Sequence, residues 1–231
     1  RPTIVPPIAP LPVEPPAEQP MPAARPWADG TTALLIDHVT KRFKLGRKKA
    51  TVSAVDDVSL HVERGEVYGI LGANGGGKST FLRIIARQSV PDDGEILSQK
   101  YLSYGYLSQT DDLDPDKSIE QILFDGIKDL SMDDKERHRI VNRSIGTCGF
   151  DNPKALAGSL SGGWKKRLAI IRALNTNPDV LLLDEPTNHL DVDSRRSLMD
   201  GLNEFDGAIV LISHDRQLIE TTCDQLWLVK D

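Results

Sequence analysis

Cysteine and long apolar runs are scarce in this chain of 231 residues. The two cysteines, Cys148 and Cys223, lie far apart and lack the spacing of metal ligands, which favours two reduced thiols in a cytosolic protein. No apolar run approaches the roughly 20 residues that a membrane-spanning helix needs, and the N-terminus lacks the apolar segment of a signal peptide. We therefore expect a cytoplasmic protein without direct membrane insertion, for which any membrane role needs a partner chain.

An excess of positive charge is also missing. Lysine and arginine number 28 against 34 acidic residues, and the net charge of -6 argues against a protein that coats nucleic acid, although local basic patches are compatible with it. The hydrophobic fraction of 39% is enough for a buried core in one large domain or two small ones. The chain begins at Arg1 rather than Met, which we interpret as a fragment or a processed chain.

Two stretches leave alternatives open. Proline dominates residues 1–30, which predicts an extended or disordered tail or linker, because proline lacks an amide donor and blocks helices. The alternative is a polyproline ligand that docks in a partner's groove. The basic run 41–49 predicts a solvated hairpin tip, with a phosphate or RNA contact as the alternative.

A glycine-rich stretch fits the pattern G-x-x-x-x-G-K-[ST], which is the phosphate-binding loop or Walker A motif. It follows an apolar run at 67–71 that predicts a buried strand, and it precedes a predicted helix at 81–86. Lys78 is expected to contact the β- and γ-phosphates, and the Ser79 hydroxyl is expected to bind Mg²⁺. The residues predicted to bind ATP here are Gly72, Asn74, Gly75, Gly76, Gly77, Lys78, Ser79 and Thr80.

A second apolar run, 180–183, ends in Asp184 and Glu185 and is typical of a Walker B motif. Asp184 is expected to hold Mg²⁺, directly or through water. Glu185 is next along the predicted strand, so its side chain is expected to face the other way. We predict that it polarises the attacking water as the general base.

The remaining pattern predicts an α/β fold. Strand alternates with helix around the two motifs, which favours a parallel sheet with right-handed crossovers. Two early strands, at 33–39 and 51–62, indicate a small antiparallel sheet beside it, and 118–148 has helical periodicity. The predicted fold is therefore a P-loop NTPase with a RecA-like parallel core, an antiparallel β subdomain and an inserted helical subdomain at about 115–172.

From about Leu34 to Asp231, the motifs resemble those of the ATP-binding cassette (ABC) ATPases. The stretch 160–163 is the most diagnostic, because it is similar to the signature loop of that family. The resemblance implies that Ser161, Gly162 and Gly163 contact the γ-phosphate of ATP held by a second ABC domain, in a homodimer or with another cassette. It implies hydrolysis of Mg·ATP to ADP and phosphate, and an ABC-type ATP-binding domain over residues 31–231.

The resemblance also implies roles for single residues. Gln109 matches the glutamine that senses Mg²⁺ and the attacking water. We count it among the catalytic residues, as we do Lys78, and also among the metal-site residues. His214 matches the switch histidine that contacts the γ-phosphate. Asp191 matches the loop that crosses the dimer interface. Phe43 lies where the family has an aromatic residue that stacks on adenine.

Departures from the family pattern bear on its biological role. Trp164 follows the signature where transporters usually have glutamine, and with the loop 188–191 it resembles the ABC-F branch, Uup-type members in particular, of which many act on ribosomes. The front half, 34–96, instead resembles the ATPase subunits of exporters, so the chain could be a mosaic, natural or engineered. We carry three hypotheses: a ribosome-associated ATPase, the ATPase subunit of a membrane transporter, and an ATP-gated binding module with slow hydrolysis.

A further departure lies in the phosphate-binding loop. The family usually has alanine, serine or cysteine at the position of Gly76. A third consecutive glycine adds backbone freedom that is lost when phosphate binds. We expect a looser loop in the absence of ATP, with ATP binding retained.

Overall fold

The computed structural model describes residues 31–45, 50–99, 101–110 and 113–229. The predicted tail at 1–30 and the tip of the basic run at 46–49 lie outside these residues. The strands are β1 (Thr32–Leu45), β2 (Ala50–Glu63), β3 (Val67–Gly72), β4 (Asp93–Ser98), β5 (Tyr104–Leu107), β6 (Val180–Asp184), β7 (Ala208–Ile212) and β8 (Gln225–Val229). The helices are α1 (Lys78–Ile85), α2 (Ile119–Gly126), α3 (Asp134–Thr147), α4 (Gly162–Leu174), α5 (Val192–Asn203) and α6 (Arg216–Thr222), with a 3-10 turn at Ala157–Ser159.

A parallel sheet carries the two phosphate-site motifs. In the described ranges it has five strands in the order β5-β6-β7-β3-β8. Every residue of β6 and β7 is buried, which explains why both strands are continuous apolar runs rather than alternating ones. Since β3 and β6 run parallel, with β7 between them, their C-terminal ends meet at one edge of the sheet, where α/β proteins bind ligands.

A second, antiparallel sheet pairs β1 with both β2 and β4. β1 continues through Lys41 and Arg42 to Leu45, so the prediction that the whole run 41–49 forms a hairpin tip is wrong for its first part. These two basic residues are held in the strand by ion pairs with acidic residues before and in β4. Lys41 Nζ lies 3.0 Å from Asp92 Oδ1, and Arg42 Nη1 lies 2.6 Å from Asp93 Oδ2.

The inserted helices have a hydrophobic cluster of their own. Ile119, Leu123, Val141 and Leu168 bring α2, α3 and α4 together away from the clusters of the two sheets. Ser118 begins α2 with a capping box, in which its side chain accepts from the Gln121 N–H while the Gln121 side chain accepts from the Ser118 N–H. None of the helices in the described ranges has the length and apolar character that crossing a membrane requires.

Candidate functional site

The glycine-rich loop between β3 and α1 is tightly packed against the antiparallel sheet. Gly77 has a φ of 76°, and a Cβ at this position would lie 1.5 Å from the carbonyl oxygen of Ala54 in β2. Gly75 also has a positive φ, of 88°, whereas Gly76 does not. A Cβ on Gly76 would lie 3.2 Å from the Ala73 carbonyl oxygen. Glycine is therefore required at 77 but is not dictated by backbone conformation at 76.

Lys78 is directed into its own loop. Its ammonium group donates hydrogen bonds to the carbonyl oxygens of Gly72 and Ala73, both at 2.6 Å. The side chain is only 7% exposed, so these two bonds compensate for most of its lost hydration. An ammonium group has three N–H donors, so a phosphate can accept from the third without replacing a loop carbonyl.

Asp184 ends β6 as a buried carboxyl group. It is 1% exposed, and its Oδ1 has no hydrogen-bond partner. Burial raises the pKa of Asp184, while a hydrogen bond with Ser79 and the charges of Arg83, Lys166 and Lys78 oppose that rise. A buried oxygen without a partner, beside a serine hydroxyl, fits the oxygen ligand set that Mg²⁺ prefers.

Glu185 lies beyond the end of the strand, so the prediction that strand alternation orients it is wrong. It has a φ of 51°, and its backbone N–H donates to the carbonyl of Ile212 at 2.9 Å. One carboxylate oxygen, Oε1, lies 3.2 Å from Nε2 of His214, and the other accepts from the His214 backbone N–H at 3.3 Å. Burial raises the pKa of Glu185, and His214 opposes the rise. A left-handed residue at this point stores strain that the contacts around it must hold.

His214 connects the two motifs. Besides its contact with Glu185, its Nε2 lies 3.2 Å from the side-chain oxygen of Asn74 in the glycine-rich loop. His214 follows β7, which runs between β3 and β6, and so reaches both neighbours. The imidazole can therefore respond to whatever occupies the space between the loop and the acidic residues.

An open cavity of about 480 Å³ lies between these groups. The predicted site residues that line it are Phe43, Asn74, Gly75, Gly77, Lys78, Ser79, Thr80, Gln109, Asp184 and Glu185. Gly72, Gly76 and His214 border this region without lining the cavity. The arrangement places an aromatic ring, a cationic loop and two acids around one space, which suits a nucleotide with its phosphates and a divalent cation.

The signature residues lie elsewhere. Ser161, Gly162, Gly163 and Asp191 line a second cavity of about 410 Å³, which shares no lining residue with the first. Ser161 caps α4 by accepting from the Trp164 N–H at 3.5 Å, and Asp191 caps α5 by accepting from the Ser194 N–H at 2.8 Å. Hydrogen bonds from Ser194, first from its side chain and then from its backbone N–H, lower the pKa of Asp191. One chain therefore does not bring its signature loop to its own phosphate loop.

Sequence reasoning assigned no site role to two residues that line this second cavity, His189 and Arg167. A Cβ on Gly163 would lie 2.8 Å from the carbonyl oxygen of His189, so the signature glycine allows close approach of the loop after β6. Arg167 donates to the carbonyl of Cys148 at 3.1 Å and to the hydroxyl of Ser194 at 2.7 Å. Its guanidinium also lies 4.8 Å from the ring centre of Trp164. Trp164, which differs from the usual family residue, could have indicated a role for Arg167, because arginine commonly stacks on an indole ring.

Comparisons with known proteins agree with this geometry. A family model described as ABC transporter matches residues 55–188. The chain is 38% identical over 181 residues to the probable ATP-binding protein YheS of Escherichia coli K12, covering 77% of this chain and 28% of YheS. It is 36% identical over 203 residues to the ATP-binding protein Uup of Haemophilus influenzae, covering 71% of this chain and 31% of Uup.

A third relative is the energy-dependent translational throttle protein EttA of Mycobacterium tuberculosis, 33% identical over 199 residues, covering 85% of this chain and 34% of EttA. The chain thus spans about a third or less of the length of these curated relatives. Among solved structures, the dimeric post-hydrolysis state of the ATP-binding cassette MJ0796, bound to ADP and Pi, matches with a TM-score of 0.74 and 28% identity. That match covers 85% of this chain and 94% of MJ0796.

Proposed function

The chain belongs to the ABC transporter ATPase family, as its motifs predicted, and on this premise we propose that it hydrolyses Mg·ATP to ADP and phosphate within a head-to-tail dimer. We propose further that this ATPase is ABC-F-like and works in the cytoplasm on ribosomes. The proposal of a dimer rests on the separation of the two cavities. The phosphate loop and the acidic residues line one, and the signature loop lines the other.

In the proposed site, each group around the first cavity has one task. Phe43 stacks on adenine, and the loop amides with Lys78 hold the phosphates. Ser79, Gln109 and Asp184 would hold Mg²⁺, which would supply neutralisation of the phosphate charge. Glu185 accepts the proton of the attacking water, and His214 orients the γ-phosphate. Preorganised positive charge and N–H groups are expected to supply most of the rate enhancement.

The second chain completes the site in this proposal. Ser161 with the amides of Gly162 and Gly163 forms the N-terminus of α4, a place where an anion is favoured. A partner's ATP would meet these groups, while this chain's ATP meets the partner's signature loop. The dimeric state of the similar cassette MJ0796 supports this arrangement. Without ATP we expect a monomer or a weak dimer.

The ribosomal role rests on two features. Trp164 and the loop 188–191 resemble the ABC-F branch, and the similar protein EttA is named as a translational throttle. A phosphate-release assay tests hydrolysis, and sedimentation with purified ribosomes in ATP tests the partner. Phosphate release without ribosome binding contradicts the ribosomal role alone, and no phosphate release favours the third hypothesis, an ATP-gated binding module.

A specific observation favours a second candidate, the ATPase subunit of a membrane transporter. A groove of about 680 Å³ lies between β5, α2 and α4, beside the loop that carries Gln109. Asp114, Lys117 and Asp125 give it a charged wall, which suits a helical segment of a partner. In that case affinity purification from membranes should yield an integral membrane protein instead of ribosomes.

A further inference from the structure

One buried charge has no task in the proposed reaction. Lys166 lies on α4, shortly after the signature loop, and its residue surface is 1% exposed. Lysine is almost never buried to this degree unless other groups compensate for its charge. The next residue on the helix, Arg167, is only partly buried. The complete burial of Lys166 therefore points to a local requirement for its positive charge.

The ammonium group of Lys166 reaches the loop that follows β5. Its Nζ donates to the backbone carbonyl of Gln109, with a separation of 3.4 Å. Burial raises the pKa of the acid at the end of β6, Asp184, and the charge of Lys166 opposes that rise, as do the charges of Arg83 and Lys78. Lys166 therefore contacts the Gln109 loop directly, and its charge acts on a second residue proposed to hold Mg²⁺.

We propose that Lys166 is a positioning residue, which ties the signature helix to the Gln109 loop and supplies a positive charge that favours ATP and opposes Mg²⁺. This inference rests on the proposed ATP site. The ammonium holds the Gln109 backbone relative to α4, so that a movement of the signature helix reaches the metal site. The positive charge of Lys166 attracts the phosphates of ATP and repels Mg²⁺.

Because ATP and Mg²⁺ have opposite charges, the effect of the Lys166 charge can be separated from an effect on packing. ATP is an anion and Mg²⁺ is a cation, so removing one buried positive charge should weaken the first and strengthen the second. A packing defect has no such sign dependence, because it weakens ATP binding equally with and without the metal. The informative quantity is the Mg²⁺ gain, defined as the ATP dissociation constant in EDTA divided by that in saturating Mg²⁺.

The test compares four variants of the chain by equilibrium ATP binding in EDTA and in Mg²⁺. Lys166→Met removes the charge and keeps the length, Lys166→Arg keeps the charge, and Lys166→Gln keeps a donor for Gln109 without charge. Lys165→Met is the matched control, since it makes the same change in net charge at a partly exposed neighbour on the same helix.

We expect Lys166→Met and Lys166→Gln to weaken ATP binding in EDTA and to raise the Mg²⁺ gain, each by about three- to thirtyfold, as expected for unit charges roughly 8 to 25 Å apart at an effective dielectric constant near 20. Lys166→Arg and Lys165→Met should keep the wild-type gain. An unchanged gain in both neutral variants of Lys166, or an equal rise in Lys165→Met, overturns the inference while the ATP site stands. A wild-type chain that binds no ATP overturns the proposed function and this inference with it.

Discussion

Replacing Glu185 by glutamine is the sharpest test of the proposed chemistry, because it removes the base and little else. Both carboxylate oxygens of Glu185 contact His214, at 3.2 and 3.3 Å. An amide of the same shape can still accept from the His214 backbone N–H, and the imidazole N–H keeps the Asn74 oxygen as its acceptor. We therefore expect Glu185→Gln to fold normally and to bind ATP, with turnover lowered.

The expected fall in turnover follows from the proposed role of Glu185 as general base. A positioned general base contributes about 10²- to 10⁴-fold to a rate, which is about 3 to 5 kcal/mol of activation free energy. We expect the substitution to leave ATP binding unchanged, so the loss should appear in kcat and not in KM. Glu204→Gln makes the same change in charge at an exposed position at the end of α5 and serves as the control.

Phosphate release measures the turnover, and light scattering after size-exclusion chromatography measures the dimer. Glu185→Gln should accumulate an ATP-bound dimer, since both sites fill and neither is emptied by hydrolysis. Turnover within about threefold of wild type refutes the assignment of the base, given the range expected for such a group. Failure of ATP to promote dimers of this variant contradicts the two-chain site.

Substitutions at four further positions test the first cavity and the glycine-rich loop beside it. Gly77→Ala should weaken ATP binding at least about tenfold, because its Cβ meets the Ala54 carbonyl at a positive φ. Gly76→Ala should bind at least as tightly as wild type, since it reduces the freedom lost on binding, and a weaker Gly76→Ala contradicts the looser-loop prediction. Phe43→Ala should weaken ATP binding about five- to hundredfold in fluorescence titration, with Phe43→Tyr close to wild type; equal affinities exclude stacking. Asp184→Asn should abolish Mg²⁺-dependent phosphate release while the melting temperature without ATP stays unchanged or rises, because burial disfavours the charge; a marked fall in melting temperature contradicts this.

The parallel sheet could be predicted from sequence because its signal is local. β6 and β7 are buried apolar runs, and the predicted run at 180–183 lacks only the last residue of β6. β1 could not be bounded in this way. It continues through Lys41 to Leu45 because it pairs with β2, and Lys41 contacts Asp92, distant in sequence. A charge run alone indicates neither contact.

The residues of the candidate site were predicted better than their geometry. Spacing identified Asp184 and Glu185, but the direction of Glu185 depends on a left-handed turn held by the neighbouring strand. Lys166 was missed because lysine on an amphipathic helix usually lies in solvent, and its burial depends on the Gln109 loop packing over it. Local pattern identifies residue types, whereas contacts between distant segments set their orientation.

The bonds between Lys78 and its own loop bear on how the site is emptied. An incoming anion can accept from the third N–H of the ammonium group, but it gains the other two only by displacing the carbonyls of Gly72 and Ala73. A nucleotide adds contacts along the cavity as far as Phe43, which free phosphate does not have. In the proposed reaction, the two loop carbonyls therefore compete with the released phosphate for Lys78 and should favour its departure.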